Sequence, residues 1–524
     1  MKKSWDYIVI GAGHNGLCAA STLAKAGKSV LVVDQRSIIG GLSASHNYLP
    51  EAPKHLLSLG AMDDALMASS SIARDFNLYQ HGYDPIPLEH PYGWMNEEGE
   101  SLLLFSDFDR TVEEISYHSP KDAQTYRDVR SSIDFLMGAL DKLGTRHPAA
   151  LGRMNVAGMV LKAVTDKQMK KTLARMLSVS AFEMIAETFE SEAMRGLWAY
   201  WSCMFAPATV AGGGVYLSGF GNVHRSGIFR PKGGMTGLVG AFAGYLKQQG
   251  GEIRLNSKVS QVIVEDNQAK GVRLESGEEL YANCGVLANC APQVVLGDLL
   301  ADDVLDANMK QRVGFIPANS VDVAPFKIDI AAGKLGYPKA QARRDQRDGV
   351  DLRKTTFMTG TIEQHMVQHD ACKRGEQVDF LPPMYFSILS GPDASIAPPD
   401  GDVLYIYANV PLNPIGGWAE NKQTYSEQIM ASVQPFIAGL DSEIGRVETC
   451  PQDFIDQFSA PNAAYFHVDM IPSRMGMNRP APELGGYKTP VDGLYLASAG
   501  SHPSGGVCGQ PGKLAAECAL AASA

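Results

Sequence analysis

The chain has 524 residues, 45% hydrophobic and 20% charged, with a formal net charge of -11. That length calls for two or three domains, or for two built from interleaved segments, and the composition is that of a soluble globular protein. The acidic balance argues against a nucleic-acid surface, which needs a clustered basic face, and no apolar run reaches the roughly 20 residues that span a bilayer.

Met1-Lys2-Lys3 resembles the start of a signal peptide, but Asp6 interrupts it, and the apolar run that follows already belongs to a binding motif. The expectation is a cytoplasmic chain. Trp5 to Ile10 reads as a buried strand, and Gly11, Gly13 and Gly16 then spell Gly-x-Gly-x-x-Gly. The first glycine allows a tight turn, the second a close approach of backbone to phosphate, and the third close packing of helix on strand. A helix over Leu17 to Ala26 is stopped by Gly27, and Ser29 to Val33 forms a second strand ending in Asp34. An acid at that distance bonds the ribose hydroxyls of a dinucleotide. The Gly40-Gly41 pair six residues later signals a further ribityl and phosphate contact, which favours FAD over NAD.

Residues 46 to 110 read as irregular, with strand pieces such as Ser101 to Phe105. Ser119-Pro120-Lys121-Asp122 is a helix start, with serine as N-cap and proline in the first turn. Helical patterning runs from there to about Tyr200. Its Met-rich part, Val156 to Met184, carries Lys162, Lys167, Lys170, Lys171 and Arg175. Two readings stay open: an amphipathic face that meets a membrane or lipid-like substrate, or a core stripe with a solvated basic face. Trp198, Tyr200 and Trp201 either line an apolar chamber or simply pack.

After the glycine-rich turns near 212–221, Phe229-Arg230-Pro231-Lys232-Gly233-Gly234-Met235 leads into a helix over Leu238 to Gln248. A strand meander to Ala291 resembles the second half of a dinucleotide-binding sheet. Residues 300 to 460 alternate like an antiparallel sheet with one covered face. Lys339 to Lys354 reads as a long polar loop and 423 to 439 as one helix. The chain closes with a strand (Gly493 to Gly500), a glycine-rich loop (Ser501 to Lys513) and a helix (Leu514 to Ala522). The eight cysteines include no C-x-x-C pair, which excludes the disulfide-reductase branch of dinucleotide-binding flavoproteins and suits buried thiols in a reducing compartment. No metal-ligand spacing occurs.

Taken together, Ile8 to Gly16 with Asp34 and Gly40-Gly41, Pro231 to Met235, Ala397-Pro398-Pro399, Arg479-Pro480 and Gly493 to Gly512 resemble the phytoene desaturase family of FAD-dependent oxidoreductases, within the flavin amine oxidase-like superfamily. Ser501-His502-Pro503 with Gly505-Gly506-Val507 points to its bacterial and mitochondrial phytoene dehydrogenase-related subgroup. The chain departs from the family at Asp34, usually Glu, and at Ser504 and Cys508. The resemblance implies an α/β fold: a Rossmann-type FAD-binding domain with two dinucleotide-binding motifs, interleaved with a substrate domain of antiparallel sheet plus helices. The FAD domain would comprise 1–70, 214–300 and 460–524, and the substrate domain 71–213 and 301–459, with a helical part at about 119–205. By the same resemblance, Gly11, Ala12, Gly13, His14, Asn15 and Gly16 hold the pyrophosphate. Asp34, with Gln35 beside it, holds the adenosine ribose, and Val259 meets adenine through its backbone. Gly41, Leu42 and Ser43 lie near the ribityl chain, and Gly500, Ser501, Gly506 and Val507 run along to the flavin ring.

The expected activity is dehydrogenation or desaturation of an apolar or lipid-like substrate, with hydride passing to flavin N5. No second Gly-x-Gly-x-x-Gly opens another βαβ unit, so the electron acceptor is expected to be oxygen, a quinone or another diffusible molecule. A peripheral contact with a membrane belongs to the same expectation. The alternatives are a flavin amine oxidase-type enzyme using oxygen and a non-catalytic FAD-binding regulatory protein. His502 is the candidate proton acceptor by position; the competing role is to order its loop through a backbone bond. His224 and Arg225 are weaker candidates, and His46 and His55 carry no specific signal.

Overall fold

Two seven-stranded sheets carry the architecture of the computed structural model, which describes residues 4–68, 70–153, 165–205 and 207–523. The first sheet is ordered Val259–Glu265, Gln268–Leu274, Glu279–Ala288, Ser4–Ile10, Val30–Val33, Glu252–Arg254, with Leu494–Leu496 pairing the last part of Glu279–Ala288. Ser4–Ile10 runs parallel to both neighbours, with Ile10 opposite Val33 and Ala288. Its apolar run does not alternate because both faces are covered, as parallel strands require. Tyr7, Val9, Val30 and Val32 pack beneath helices His14–Lys25, Met235–Gln248 and Gln510–Ala522, while Ile8, Ile10, Leu31 and Val33 face Val262, Val272 and Val295. The two predicted helices after glycine turns start earlier than expected, at His14 and Met235, because Gly13 and Gly234 themselves are the N-caps.

The second sheet is ordered Glu443–Thr449, Val323–Ala332, Asp402–Pro411, Met384–Ile388, Thr356–Met358, Tyr92–Met95, Ser101–Leu104. All its pairs are antiparallel except Thr356–Met358 with Tyr92–Met95. Its two faces differ in chemistry. Phe326, Ile328, Leu404, Ile406, Phe357 and Phe386 pack against helix Trp418–Val433. The opposite face lines up Lys327 with Tyr407, Asp329 with Tyr405, and then Tyr385 and Ser387.

Helix Pro120–Gly144 starts where expected, and the Ser119 hydroxyl accepts from Asp122 N–H. In helix Lys167–Ser178, Met169 and Met176 are buried while Lys167, Lys170 and Lys171 are exposed. Lys162 and its neighbours at 154–164 lie outside the described residues. Two readings are corrected. Lys339 to Lys354 is not a loop throughout: Pro338–Arg347 is a helix, hidden in the sequence because Ala340 and Arg344 are its only buried side chains. The helix expected at 423–439 spans Trp418–Val433; it begins directly after its N-cap Gly417, at a φ of 77°, with Trp418 already in the core. No described helix is long and apolar enough to cross a membrane.

Candidate functional site

The first strand ends in a turn at Gly11, whose φ of 94° suits glycine. A Cβ at Gly16 would stand 2.0 Å from Gly11 O, so only glycine lets helix His14–Lys25 enter this close to the strand. That helix has no side-chain cap and no acid in its first turn, so its leading N–H groups are available to an anion. At the end of the second strand, Asp34 is 8% exposed and its carboxylate accepts Ala12 N–H at 2.7 Å and Arg36 N–H at 2.8 Å. Burial raises its pKa against those two bonds. A carboxylate has about four acceptor positions, which leaves two for ribose hydroxyls. Ser257 N–H donates to Asp34 O, which brings the start of the Val259 strand alongside. Val259 itself is buried in the core, and its strand pairs it with Leu274. Gln35 turns aside and donates to Gln457 O.

Three distant blocks meet at His14. Its Nδ1 lies 3.0 Å from Ser43 Oγ and its Nε2 3.1 Å from Gly506 O. A neutral ring satisfies both, accepting from the hydroxyl and donating to the carbonyl, and burial pulls its pKa down to about 4. Gly40 N–H donates to Ala12 O, and Leu42 O accepts Ala61 N–H. Ser45 Oγ accepts Met235 N–H at 2.9 Å, which ties this loop to the Pro231–Met235 turn.

The C-terminal loop is fastened from behind. The guanidinium of Arg479, fully buried, donates to Phe466 O, Val468 O, Asp469 O and Ala499 O, so one side chain clamps segment 466–469 to the start of the loop. Gly500 packs on Pro292 and His467, and Ser501 Oγ donates to Leu496 O. Helix Gln510–Ala522 also starts without a side-chain cap or a first-turn acid. Asn15 Oδ1 and Gln510 Oε1, in the first turns of the two helices, are buried acceptors without partners among the described residues. Val507 is half-buried beside them.

His502 has one ring nitrogen engaged, and its Nδ1 is buried without a partner among the described residues. Its Nε2 lies 3.0 Å from Leu143 O near the end of helix Pro120–Gly144, and its own carbonyl accepts from Tyr487 Oη. Burial lowers its pKa. His224 is held by Tyr126 and Arg225 by Asp141, and the exposed His46 stacks edge-on with Tyr48.

Several residues of the site carried no motif. Asn289 N–H donates to Ile10 O, and its side chain fills the space that Cβ atoms at Gly13 and Gly16 would need. The tyrosine face of the second sheet closes the opposite side: Tyr405 Oη donates to Gly60 O at 2.7 Å, Tyr405 and Tyr407 stack at 6.3 Å, and Tyr465 adjoins Phe466. Phe466 in turn lies against Gly505, where a Cβ would stand 1.9 Å from its ring. Beneath Tyr405 sits a buried ion pair, Lys327–Asp329, with Lys327 Nζ 4.2 Å from the ring centroid. Burial pushes the Asp329 carboxyl up to about 6, and Lys327 opposes the shift. A second pair, Arg230–Asp63, joins Tyr92 Oη at the same wall. The register of Tyr405 with Tyr407 was readable in the sequence as an i, i+2 pair; the side chains from other strands were not.

The glycine turn therefore offers backbone N–H, an uncapped helix and a carboxylate, and Tyr405 reaches the neighbouring loop at Gly60. This matches a ligand with a charged diphosphate, a ribose and a flat ring, and the donors and glycine approaches fit FAD.

Comparison with known proteins points the same way. Residues 9–62 match the NAD(P)-binding Rossmann-like domain and residues 101–307 the flavin containing amine oxidoreductase family. The chain is 28% identical to pyridine nucleotide-disulfide oxidoreductase domain-containing protein 2 of Mus musculus, over 98% of this chain and 93% of that protein. It is 25% identical to phytoene desaturase (lycopene-forming) of a Paracoccus species, over 96% and 95% of the two chains. A limonene dehydrogenase chain from Castellaniella defragrans is 23% identical, over 96% and 92%. In fold, the chain is similar to cyclohexylamine oxidase from Brevibacterium oxydans, with a TM-score of 0.57 at 16% identity over 99% and 98% of the two chains. With the glycine turn, these similarities show an FAD-dependent oxidoreductase that matches the flavin containing amine oxidoreductase family over residues 101–307 and is similar to phytoene desaturases over nearly its whole length.

Proposed function

We propose that the protein is a dehydrogenase or desaturase that takes a hydride from an apolar or lipid-like substrate. The observation that carries this reading is the meeting of Ser43, His14 and Gly506, with Tyr405 of the second sheet reaching Gly60 of the adjoining loop. Bound FAD supplies the hydride acceptor. The protein's share is positional. Gly11 to Gly16 and the two uncapped helices hold the phosphates, and Asp34 holds the ribose. Gly500 to Val507 and the Arg479 clamp frame the reactive end. Tyr405, Tyr407 and Tyr465 present apolar surface to the substrate and exclude water. In this reading segments 1–70, 214–300 and 460–524 form the FAD body, while 71–213 and 301–459 form the substrate body.

The names of two relatives, a phytoene desaturase and a limonene dehydrogenase, support an apolar terpenoid-like substrate. His502 is read as a loop-ordering residue, since its Nε2 is spent on Leu143 O. The electron acceptor is taken to be oxygen, a quinone or another diffusible molecule. A cytoplasmic enzyme touching a membrane surface is also proposed; an exposed Leu177 on the same helix as the exposed Lys170 and Lys171 supports that contact.

The test is spectroscopic. The purified protein should be yellow and release FAD on denaturation. Anaerobic mixing with limonene or a short polyene should bleach it without ammonia release. Bleaching by amines alone, with hydrogen peroxide formed in air, would replace this reading with an amine oxidase. A colourless protein that FAD cannot reconstitute would remove its basis.

A further inference from the structure

A small cavity of about 50 Å³ lies between the end of helix Glu192–Phe205, His369 of helix Ile362–Lys373, residues 319–323 and the segment 464–470. That is room for about four water molecules, or for a ligand head of as many non-hydrogen atoms. Met204, Val321, Val323 and Met470 make much of the wall apolar. Tyr465 and Phe466 add two rings set edge to face, with centroids 4.4 Å apart.

The polar groups of the wall differ in what they have left to offer. Its donors are spent. Asn319 Nδ2 donates to Asn462 O at 2.7 Å, Tyr465 Oη to Met204 O, and the Cys203 thiol to Ala199 O at 3.1 Å. His369 Nε2 lies 3.1 Å from Cys203 Sγ, and burial pulls the ring's pKa down to about 4, so it adds no positive charge. Acceptors remain. Asp469 is 6% exposed, and its Oδ2 accepts both the N–H and the hydroxyl of Ser320. Those two bonds fix the carboxylate and leave Oδ1 without a partner among the described residues on the cavity wall. Arg479 brings positive charge from behind the segment, where it donates to Phe466 O, Val468 O and Asp469 O. It offsets part of the carboxylate's field from the backbone side and is not part of the wall.

A carboxylate oxygen with no spare donor beside it disfavours an anion and favours a ligand that brings its own N–H groups and positive charge. A bare metal ion needs about six oxygen ligands, which this apolar wall does not supply. An ammonium needs far fewer, its alkyl chain suits the valines and methionines, and aromatic rings suit a cation. We propose that this cavity binds the ammonium head of an alkylamine, with Asp469 Oδ1 as its counter-ion and hydrogen-bond acceptor. A ligand held here is bound through its charge, whichever compound reduces the flavin, so the site goes beyond the dehydrogenase reading and is tested apart from it.

The test titrates the oxidised holoenzyme at pH 7.5 with propylamine, which is protonated there, and with 1-propanol, its neutral isostere, followed by ligand-observed NMR at constant ionic strength. Propylammonium should bind at least about tenfold more tightly, the worth of one charge-assisted hydrogen bond. Asp469→Asn keeps the shape and an acceptor for Ser320 but turns the open oxygen into a donor. It should cut the amine affinity at least about tenfold and leave the alcohol within about threefold. If that variant does not retain flavin, Val323→Phe, which fills the cavity and leaves the carboxylate in place, should abolish binding of both compounds. Hexylamine separates two sources of the head group. Binding at least about tenfold tighter than propylamine supports the head of a longer amphiphile, and equal binding supports a small free amine; both keep the site. Equal affinities for propylamine and 1-propanol, an amine preference that survives Asp469→Asn, displacement of the amine when potassium replaces sodium, or no saturable binding by either compound would overturn it. Bleaching by limonene depends on none of these outcomes and tests the dehydrogenase alone.

Discussion

A methyl group at Gly16 would stand 2.0 Å from Gly11 O and 2.9 Å from Asn289 Nδ2, and neither neighbour has room to retreat. Gly16→Ala should therefore push the helix off the strand and weaken FAD binding by at least about tenfold, read as the flavin-to-protein absorbance ratio after dialysis. His502→Ala makes the opposite kind of prediction. On the loop-ordering reading, which the Nε2–Leu143 O contact supports, anaerobic flavin reduction should stay within about threefold of wild type, whereas loss of a general base acting through the open Nδ1 costs about a hundredfold or more. Asp64 supplies a pH test. It is fully buried, accepts from Tyr83 Oη, and burial pushes its pKa up to about 7. Between pH ~4, where the unfolded carboxyl titrates, and pH 7 the folded state holds a proton that the unfolded state has lost. Stability contributed by this group therefore falls as pH rises through that window. Asp64→Asn should raise the unfolding midpoint more at pH 8 than at pH 4, and an equal gain at both values would refute the assignment.

Helix Pro338–Arg347 shows how an element escapes a reading of periodicity. Its sequence, Pro-Lys-Ala-Gln-Ala-Arg-Arg-Asp-Gln-Arg, has no apolar stripe; its inward face is Ala340 and Arg344. Arg344 is 2% exposed and reaches Glu114, 4% exposed at its side chain, on the helix Phe108–His118. Glu114 keeps Arg347 and Leu103 N–H when Arg344 is removed, so Arg344→Ala should cost less in urea unfolding than the about 3 to 5 kcal/mol of an isolated buried pair. The double change Glu114→Ala with Arg344→Ala should recover part of that loss. The helix at Pro120 was legible for the complementary reason: its start signals are local. The same chain-local logic made the Ser4–Ile10 strand, the first glycine turn and the C-terminal block readable. Strand Val323–Ala332 was not, because it is buried along its whole length and its inward Lys327 and Asp329 break the apolar run.

Across the whole molecule, residues 11–16 and 500–507 come from opposite ends of the chain and meet through His14. A ligand that spans both should act as a clasp. FAD at a hundred times its dissociation constant should add about 2.7 kcal/mol to stability, so the thermal midpoint should rise with FAD concentration. The loop at 500–508 should also become protected from proteolysis in the holoenzyme. A midpoint indifferent to FAD would mean that the clasp does not form.

The sequence by itself was enough for the dinucleotide turn and the choice of FAD, because these rest on glycines and one carboxylate at short fixed spacing, and for the family resemblance, which adds short blocks spread along the chain. Backbone geometry at such turns is dictated locally. The tertiary structure decided the rest. It alone aimed His502 Nε2 at Leu143, set Asn289 against the glycines, paired Lys327 with Asp329 beneath Tyr405, and brought Arg230 to Asp63. Those groups lie on strands and helices up to hundreds of residues apart, and only sheet register and helix packing bring them within bonding distance.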